Sequence, residues 1–330
     1  MAEQLPRFRR EFKRYKQRKP PPDFSDVIDF EVEESWKGRV QKCCCGLQDQ
    51  EIEKTDIVEL GLNDIDAWKC YEIDGYKGFK IIVNAFTPSC QMQWIRKCVE
   101  NYPEKPNVCN LDANVEIGNK NLWKLYEEYC LLSEDKCNEQ RSTISKPLMD
   151  QLRWVTLGYH YNWNTKKYSK DHSSTFPYDL GNLAKTISRV LGYSCFTAEA
   201  AIINYYHMNS TLSGHTDHSE YDLTAPLFSI SFGQSCIFLL GGKTLDDAPC
   251  AMFLRSGDVI VMSGDSRLAY HAVPRILRHQ DFTSVLTQNN KHETCEEHTL
   301  RCLERYLSYS RINVNIRQVE GPGGGFPQTK

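Results

Sequence analysis

Nothing in this sequence is both long enough and apolar enough to cross a bilayer. A crossing helix needs about eighteen uninterrupted apolar residues, and the best runs here, around Ile237–Leu240 and Val259–Met262, are strand-sized. The N-terminus lacks the apolar stretch of a secretory signal, so export is not expected. Cys-x-x-Cys pairs are missing too, although the chain holds 14 cysteines. A disulfide framework belongs to small secreted domains, so reduced thiols in an intracellular, reducing compartment are expected. The consecutive Cys43, Cys44 and Cys45 have no spaced partner pair, which leaves a structural zinc site without support. Excess charge is also lacking: a net charge of −3 excludes a uniformly basic polyanion binder, so any contact with nucleic acid must come from local patches. No internal repeat is present, which excludes a solenoid.

What is present is an ordinary globular composition over 330 residues, enough for one large core or two modest ones. Residues 5–19 set Leu5, Phe8, Phe12 and Tyr15 at three- and four-residue steps, one face of an amphipathic helix. Arg9, Lys13 and Lys16 fall at i, i+4 and i+7 on another stripe, and Pro20, Pro21 and Pro22 end the helix. A mitochondrial presequence is the competing reading, weakened by Glu3, Glu11 and the lack of serine. Residues 1–22 are therefore expected as a basic amphipathic helix and 23–77, polar and poorly periodic, as linker-like and partly ordered. Residues 78–150 are expected as a helical flank: a strand at Phe79–Val83, helices at Met92–Tyr102 and Leu122–Leu132, then a connecting loop.

From 151 to 320 the character changes. Short β-rich runs follow one another (Trp154–Tyr161, Ala200–Tyr206, Leu227–Phe232, Cys236–Leu240, Met252–Leu254, Val259–Met262, Ile312–Val319), punctuated by Gly, Pro, Asp and Asn. Many short strands with such turns predict a sandwich or barrel. One helix near Leu180–Leu191 interrupts them, residues 277–309 read as an insertion, and 321–330 as a mobile tail.

The sharpest chemical feature is His215-Thr216-Asp217. In an extended segment, residues i and i+2 project to one side, so an imidazole and a carboxylate can share a metal. His-x-Asp alone is common, and it needs a third ligand. His271, after the Gly257–Gly264 strand and turn, is the candidate, a satisfied core histidine being its other reading. Two histidines and one carboxylate form the facial triad of non-haem iron(II) oxygenases, which leaves positions open for a cosubstrate and dioxygen. Ser310–Arg317 then alternates Arg311, Asn313, Asn315 and Arg317 against Ile312, Val314 and Ile316. An edge strand could look like this for solubility. If the polar face lines a barrel, its arginines need anionic partners, and a guanidinium pairs bidentately with a carboxylate.

The order Asn204-Tyr205-Tyr206, His215-Thr216-Asp217, His271 and Arg311–Arg317 resembles the AlkB family of nucleic-acid dioxygenases, close to its homologue-1 branch. Lys105–Asp112, Arg153–Trp163, Ser231–Ser235 and His271–Arg275 also match, and the resemblance runs from about residue 5 to 319. It implies an α+β fold with a β-rich core, a double-stranded β-helix (jelly roll) flanked by N-terminal helices. It implies Fe(II) at His215, Asp217 and His271. It implies 2-oxoglutarate held by Arg311 with Asn204, Tyr206, Asn313 and Arg317, and O2 as the oxidant. Such enzymes oxidise an alkyl group on a base, releasing formaldehyde from a nitrogen methyl while 2-oxoglutarate becomes succinate and carbon dioxide.

The resemblance places Tyr159 and Tyr161 in a nucleotide lid, within residues 153–172. Aromatic and basic side chains interleave from Trp163 to His172, as a single-strand binder needs, or as a charged turn packing its rings inward. With Arg9, Lys13 and Lys16 on phosphates, the implied partner is nucleic acid: tRNA, or unpaired or bulged DNA or RNA, met by a monomer. Ser219 stands where repair members often carry an acid, with Glu220 next, and Ala251 replaces a basic residue, so the preferred base is not transferable. A protein or histone demethylase with the same iron chemistry, and a non-oxidative lyase or binding module, share parts of this pattern.

Overall fold

The computed structural model describes residues 5–43, 45, 54–113, 121–134, 146–279, 297–321 and 325–326. Its strands are β1 (Val40–Cys43), β2 (Lys69–Ile73), β3 (Phe79–Val83), β4 (Val108–Cys109), β5 (Trp154–Gly158), β6 (Ala200–His207) and β7 (Leu212–His215). The remainder are β8 (Leu227–Gly233), β9 (Ser235–Leu240), β10 (Cys250–Leu254), β11 (Val259–Met262), β12 (His271–Leu277) and β13 (Ser310–Arg317). They form a nine-stranded sheet, β1-β2-β3-β11-β8-β13-β6-β5-β4, and a four-stranded sheet, β10-β9-β12-β7, with every pairing antiparallel. The fold is the jelly roll with flanking helices that the resemblance implies.

Alternation sets the layers. In β9, Cys236, Phe238 and Leu240 face Leu227, Ile260 and Met262 of the large sheet, while Ile237 and Leu239 point outward. That outer face is covered by the helix Arg7–Lys16, through Phe8, Phe12 and Tyr15. Both faces of β9 are buried, which is why it reads as an unbroken apolar run. In β13, Ile312, Val314 and Ile316 join the apolar core shared with the flanking helices, leaving the polar alternates to line the interior between the sheets.

The linker expectation for 23–77 does not hold over the described part. Val27, Ile28, Phe30, Trp36 and Val40 are all buried. Ile28 pairs with the edge of β10, its N–H donating to the Ala251 carbonyl at 2.9 Å and its carbonyl accepting from Phe253 N–H at 2.9 Å. β1 and β2 then extend the large sheet beyond β3. Single apolar residues separated by polar ones bury themselves here without any helical or strand period to betray them. Within the segment expected as a tail, the Phe326 ring meets Tyr159 at 4.9 Å and Tyr221 at 5.1 Å between centroids. Most of the expected loop after residue 134, and residues 280–296 of the expected insertion, lie outside the described residues. Among the described residues no helix is long and apolar enough to cross a membrane.

Candidate metal centre and nucleotide cavity

His215 closes β7, His271 opens β12, and the two stand directly opposite each other in the register of the small sheet. Their ring centroids are 4.3 Å apart. Asp217, two residues on, brings its carboxylate oxygens to 4.0 Å from His215 Nε2 and 3.6 Å from His271 Nε2. One ligand atom from each lies within 4.8 Å of the others, the only such group among the described residues. Each imidazole is turned by its own backbone: His215 Nδ1 contacts the Ser213 carbonyl at 3.0 Å, and His271 Nδ1 the Ala269 carbonyl at 3.1 Å. A carbonyl only accepts, so both Nδ1 atoms carry the proton and both Nε2 lone pairs face the shared centre. Burial, then the neighbouring His215, pushes the His271 imidazole down to about 4, so it is neutral and ready to ligate at neutral pH. Burial works against the Asp217 anion, but Arg317 above all, followed by the two histidines, holds its carboxyl well below the usual range.

Arg317 does this directly. Its Nη2 donates to Asp217 Oδ1 at 3.0 Å and its Nη1 to Glu220 Oε1 at 2.8 Å. Glu220 also accepts from Arg267 Nη2 at 2.9 Å, and Arg267 donates to the carbonyls of Asp217 (2.7 Å) and Ala225 (3.0 Å). Two arginines and two carboxylates thus form a buried network that fixes the loop carrying Asp217. Sequence reasoning missed Arg267 altogether, since nothing periodic marks it in the turn Gly264–Leu268. Glu220 was noted only as a neighbour of Ser219. The structure turns Glu220 into this network and leaves Ser219 on the cavity wall. Ala251 faces outward, under the N-terminal helix.

The cavity beside the triad holds about 340 Å³ and is lined by Asn204, Tyr206, Arg311, Asn313 and Arg317 among others. Arg311 is 1 % exposed; its Nη2 donates to Ser231 Oγ at 2.9 Å, while Nε and Nη1 are buried without a partner. A guanidinium left with unmatched donors in a dry wall is costly, and a carboxylate entering the cavity is the group that matches it. Asn313 is already committed: its amide nitrogen donates to Ser229 Oγ (2.8 Å) and the Ile230 carbonyl (3.1 Å), and its oxygen accepts from Asn315 (3.0 Å). The Asn204 side chain and the Tyr206 hydroxyl line the cavity and make no side-chain hydrogen bond among the described residues. The donor set of the triad fits iron(II), and the orphaned nitrogens of Arg311 fit a dicarboxylate.

Tyr161 lines the same cavity, edge-on to Trp163 at 4.8 Å and beside Tyr168 at 5.3 Å. Tyr159 does not line it: its hydroxyl donates to Glu320 and its ring rests on Phe326, so it belongs to the rim. The chain turns at Gly158, where φ is +68°, and both Tyr159 and Tyr161 pack beyond it against the cluster of Tyr168, Ala200 and Val319. A wider groove of about 1050 Å³ adjoins the cavity, shares Trp163, Asn204, Tyr206 and Leu212 with it, and runs past Arg153 and Lys146. On the N-terminal helix Arg9, Lys13 and Lys16 are exposed, while Phe8 and Tyr15 are buried.

Residues 78–317 match the model of the 2OG-Fe(II) oxygenase superfamily. Over 97% of its length the chain is 42% identical to a mouse (Mus musculus) protein named nucleic acid dioxygenase ALKBH1, covering 85% of that relative. It is 33% identical to the tRNA demethylase abh1 of Schizosaccharomyces pombe, covering 96% of this chain and 97% of the relative. It is 32% identical to the DNA N(6)-methyladenine demethylase ALKBH1A of Arabidopsis thaliana, covering 93% and 90%.

Proposed function

The chain belongs to the 2OG-Fe(II) oxygenase superfamily and to its AlkB homologue-1 branch, and we propose that it oxidises methyl groups on the bases of nucleic acid. It is an iron(II)- and 2-oxoglutarate-dependent dioxygenase. The observation that carries the reading is the pairing of the His215–Asp217–His271 cluster with a buried Arg311 whose Nε and Nη1 have no partner. His215, Asp217 and His271 would hold the iron, and Arg311 the distal carboxylate of 2-oxoglutarate, with Asn204 and Tyr206 beside it. Asn313 orients that wall through Ser229, and Arg317 acts on the metal carboxylate as well as on the cavity. When bound, iron, 2-oxoglutarate and dioxygen together supply a hydroxylation at the substrate methyl carbon, with succinate and carbon dioxide as co-products.

The protein's own part is positioning and drying. The Ser213 and Ala269 carbonyls keep both imidazoles in the ligating tautomer. The Arg267–Glu220–Arg317 network keeps Asp217 ionised and in place. Tyr161 and Trp163 offer ring faces and edges for a base lifted from its stack, since an oxygenase cannot reach a base atom inside an intact duplex. The groove past Arg153 and Lys146 gives the flanking strand a path, and the exposed Arg9, Lys13 and Lys16 suit phosphates of a neighbouring duplex arm.

Succinate formation with a methylated stem-loop RNA, a methylated bubble DNA and a methylated histone peptide tests the reading. Stimulation by either nucleic acid and not by the peptide is expected. Stimulation by the peptide alone would make the chain a protein demethylase, and no succinate with any of them would leave a binding module.

A further inference from the structure

Away from the iron site, three cysteines converge at the outer edge of the large sheet. β1 ends at Cys43, which stands directly across from Cys70 of β2. Residues directly opposite in an antiparallel pair have Cα atoms about 4.5–5.5 Å apart, inside the range that a disulfide spans. The two Sγ atoms are 2.9 Å from each other, and the Cys45 thiol lies near enough to Cys70 to interact with it. Cys43 is half-buried and Cys70 buried, and both line an open hollow of about 630 Å³ together with Lys42 and Trp68. Tetrahedral zinc needs four ligands, and these thiols do not form a metal-holding group among the described residues.

We propose that Cys43 and Cys70 are a site of reversible oxidation, in which a low-molecular-weight disulfide such as glutathione disulfide converts the cross-strand thiol pair into a disulfide. The Cys43 thiolate attacks one sulfur of glutathione disulfide, forming a mixed disulfide and expelling one glutathione thiolate. Cys70 then attacks the Cys43 sulfur, its proton passes to solvent, and the second glutathione leaves. Two protein thiols are oxidised and one glutathione disulfide is reduced to two glutathiones. Hydrogen bonding with Cys70, and the nearby Lys80 against the opposing burial, hold the Cys43 thiol below its ordinary value, while the same contact raises Cys70. Cys43, half-buried at the end of the edge strand and open to the hollow, is the attacking group, and the more deeply buried Cys70 across from it is the resolving one. The hollow gives the small disulfide room to reach Cys43. The bond would close the excursion from residue 44 to 69, which carries the buried Ile57, Leu62 and Ile65, into a covalent loop.

The test is to equilibrate the full-length protein with glutathione redox buffers, block free thiols, and map cross-linked peptides by mass spectrometry. A Cys43–Cys70 cross-link that dithiothreitol reverses is expected, together with a rise of roughly 5 °C in the unfolding midpoint. Cys45→Ser should retain the cross-link and Cys43→Ser should abolish it, each with unchanged succinate formation, so this outcome is separable from that of the iron site. A Cys45–Cys70 cross-link, individually blocked Cys43 and Cys70 in the folded oxidised protein, or one equivalent of retained zinc shielding both thiols would each overturn the proposal.

Discussion

Arg311 is buried in the cavity wall with two of its nitrogens unmatched. Lysine in its place keeps the charge but loses the planar fork. Arg311→Lys is expected to raise the 2-oxoglutarate concentration for half-maximal succinate formation roughly ten- to hundredfold, the size of one charge-assisted hydrogen bond. Arg301→Lys, at a surface residue paired with Glu297 at 2.9 Å, should match the parent; equal behaviour of the two variants would remove Arg311 from the site. His160 makes a second residue-scale case. It is 2 % exposed, contacts Thr156 Oγ1 through Nδ1 at 2.9 Å, and is pushed down to about 4 by burial and then by His172. The fold favours neutral His160, while the unfolded chain takes up its proton from the ordinary 6.5 downward. Its contribution is present above that value and is lost as pH falls toward 4, on the order of 3 kcal/mol in all. Urea midpoints of the metal-free protein should therefore drop between these two pH values, and less steeply in His160→Gln; parallel slopes would assign the loss elsewhere.

The N-terminal helix is held by shape as much as by apolar area. The Phe8 ring sits between Gly214 and Gly241, where a Cβ on either glycine would come within 2.6 Å of it. Phe8→Ala empties that notch and is expected to cost about 3–5 kcal/mol in denaturant unfolding. A loss under 1 kcal/mol, roughly a surface effect, would mean that the helix docks without it. The outward stripe is a different matter. Replacing Arg9, Lys13 and Lys16 together with Ala should weaken binding of a stem-loop or bubble substrate. It should flatten the slope of log affinity against log salt by roughly two to three, leaving substrate-free decarboxylation of 2-oxoglutarate unchanged. An unaltered slope would make the helix a structural cover only. Two elements that matter most were not legible as strands. β7 is Leu-Ser-Gly-His, too polar and too short to show a period. β12 contains Pro274, a residue that argues against a strand, and tolerates it through the register shift between Ala272 and Arg275. The candidate ligands stand out by residue type and spacing, while the strands that bear them do not.

At the scale of the whole molecule, the jelly roll was legible because its inner strands are apolar runs between strong turns and β13 alternates without a break. The His215-x-Asp217 pair, His271 and the alternating polar face of β13 were legible through residue type and spacing, and the structure brings them to one cavity. Contacts between segments distant in sequence were not legible. Arg267 reaches Glu220, Ile28 joins the edge of β10, and Cys43 meets Cys70, and no local pattern encodes any of these pairings. The account stands or falls on whether the cluster of His215, Asp217 and His271 drives oxidation of a base. The direct measurement is mass spectrometry of nucleosides from total transfer RNA incubated with the protein, iron(II) and 2-oxoglutarate, alongside a succinate assay. Loss of a methylated nucleoside with matching succinate is predicted for the parent, and neither for folded His215→Ala, Asp217→Ala or His271→Ala. Substantial succinate or nucleoside loss from any of those three variants would contradict it.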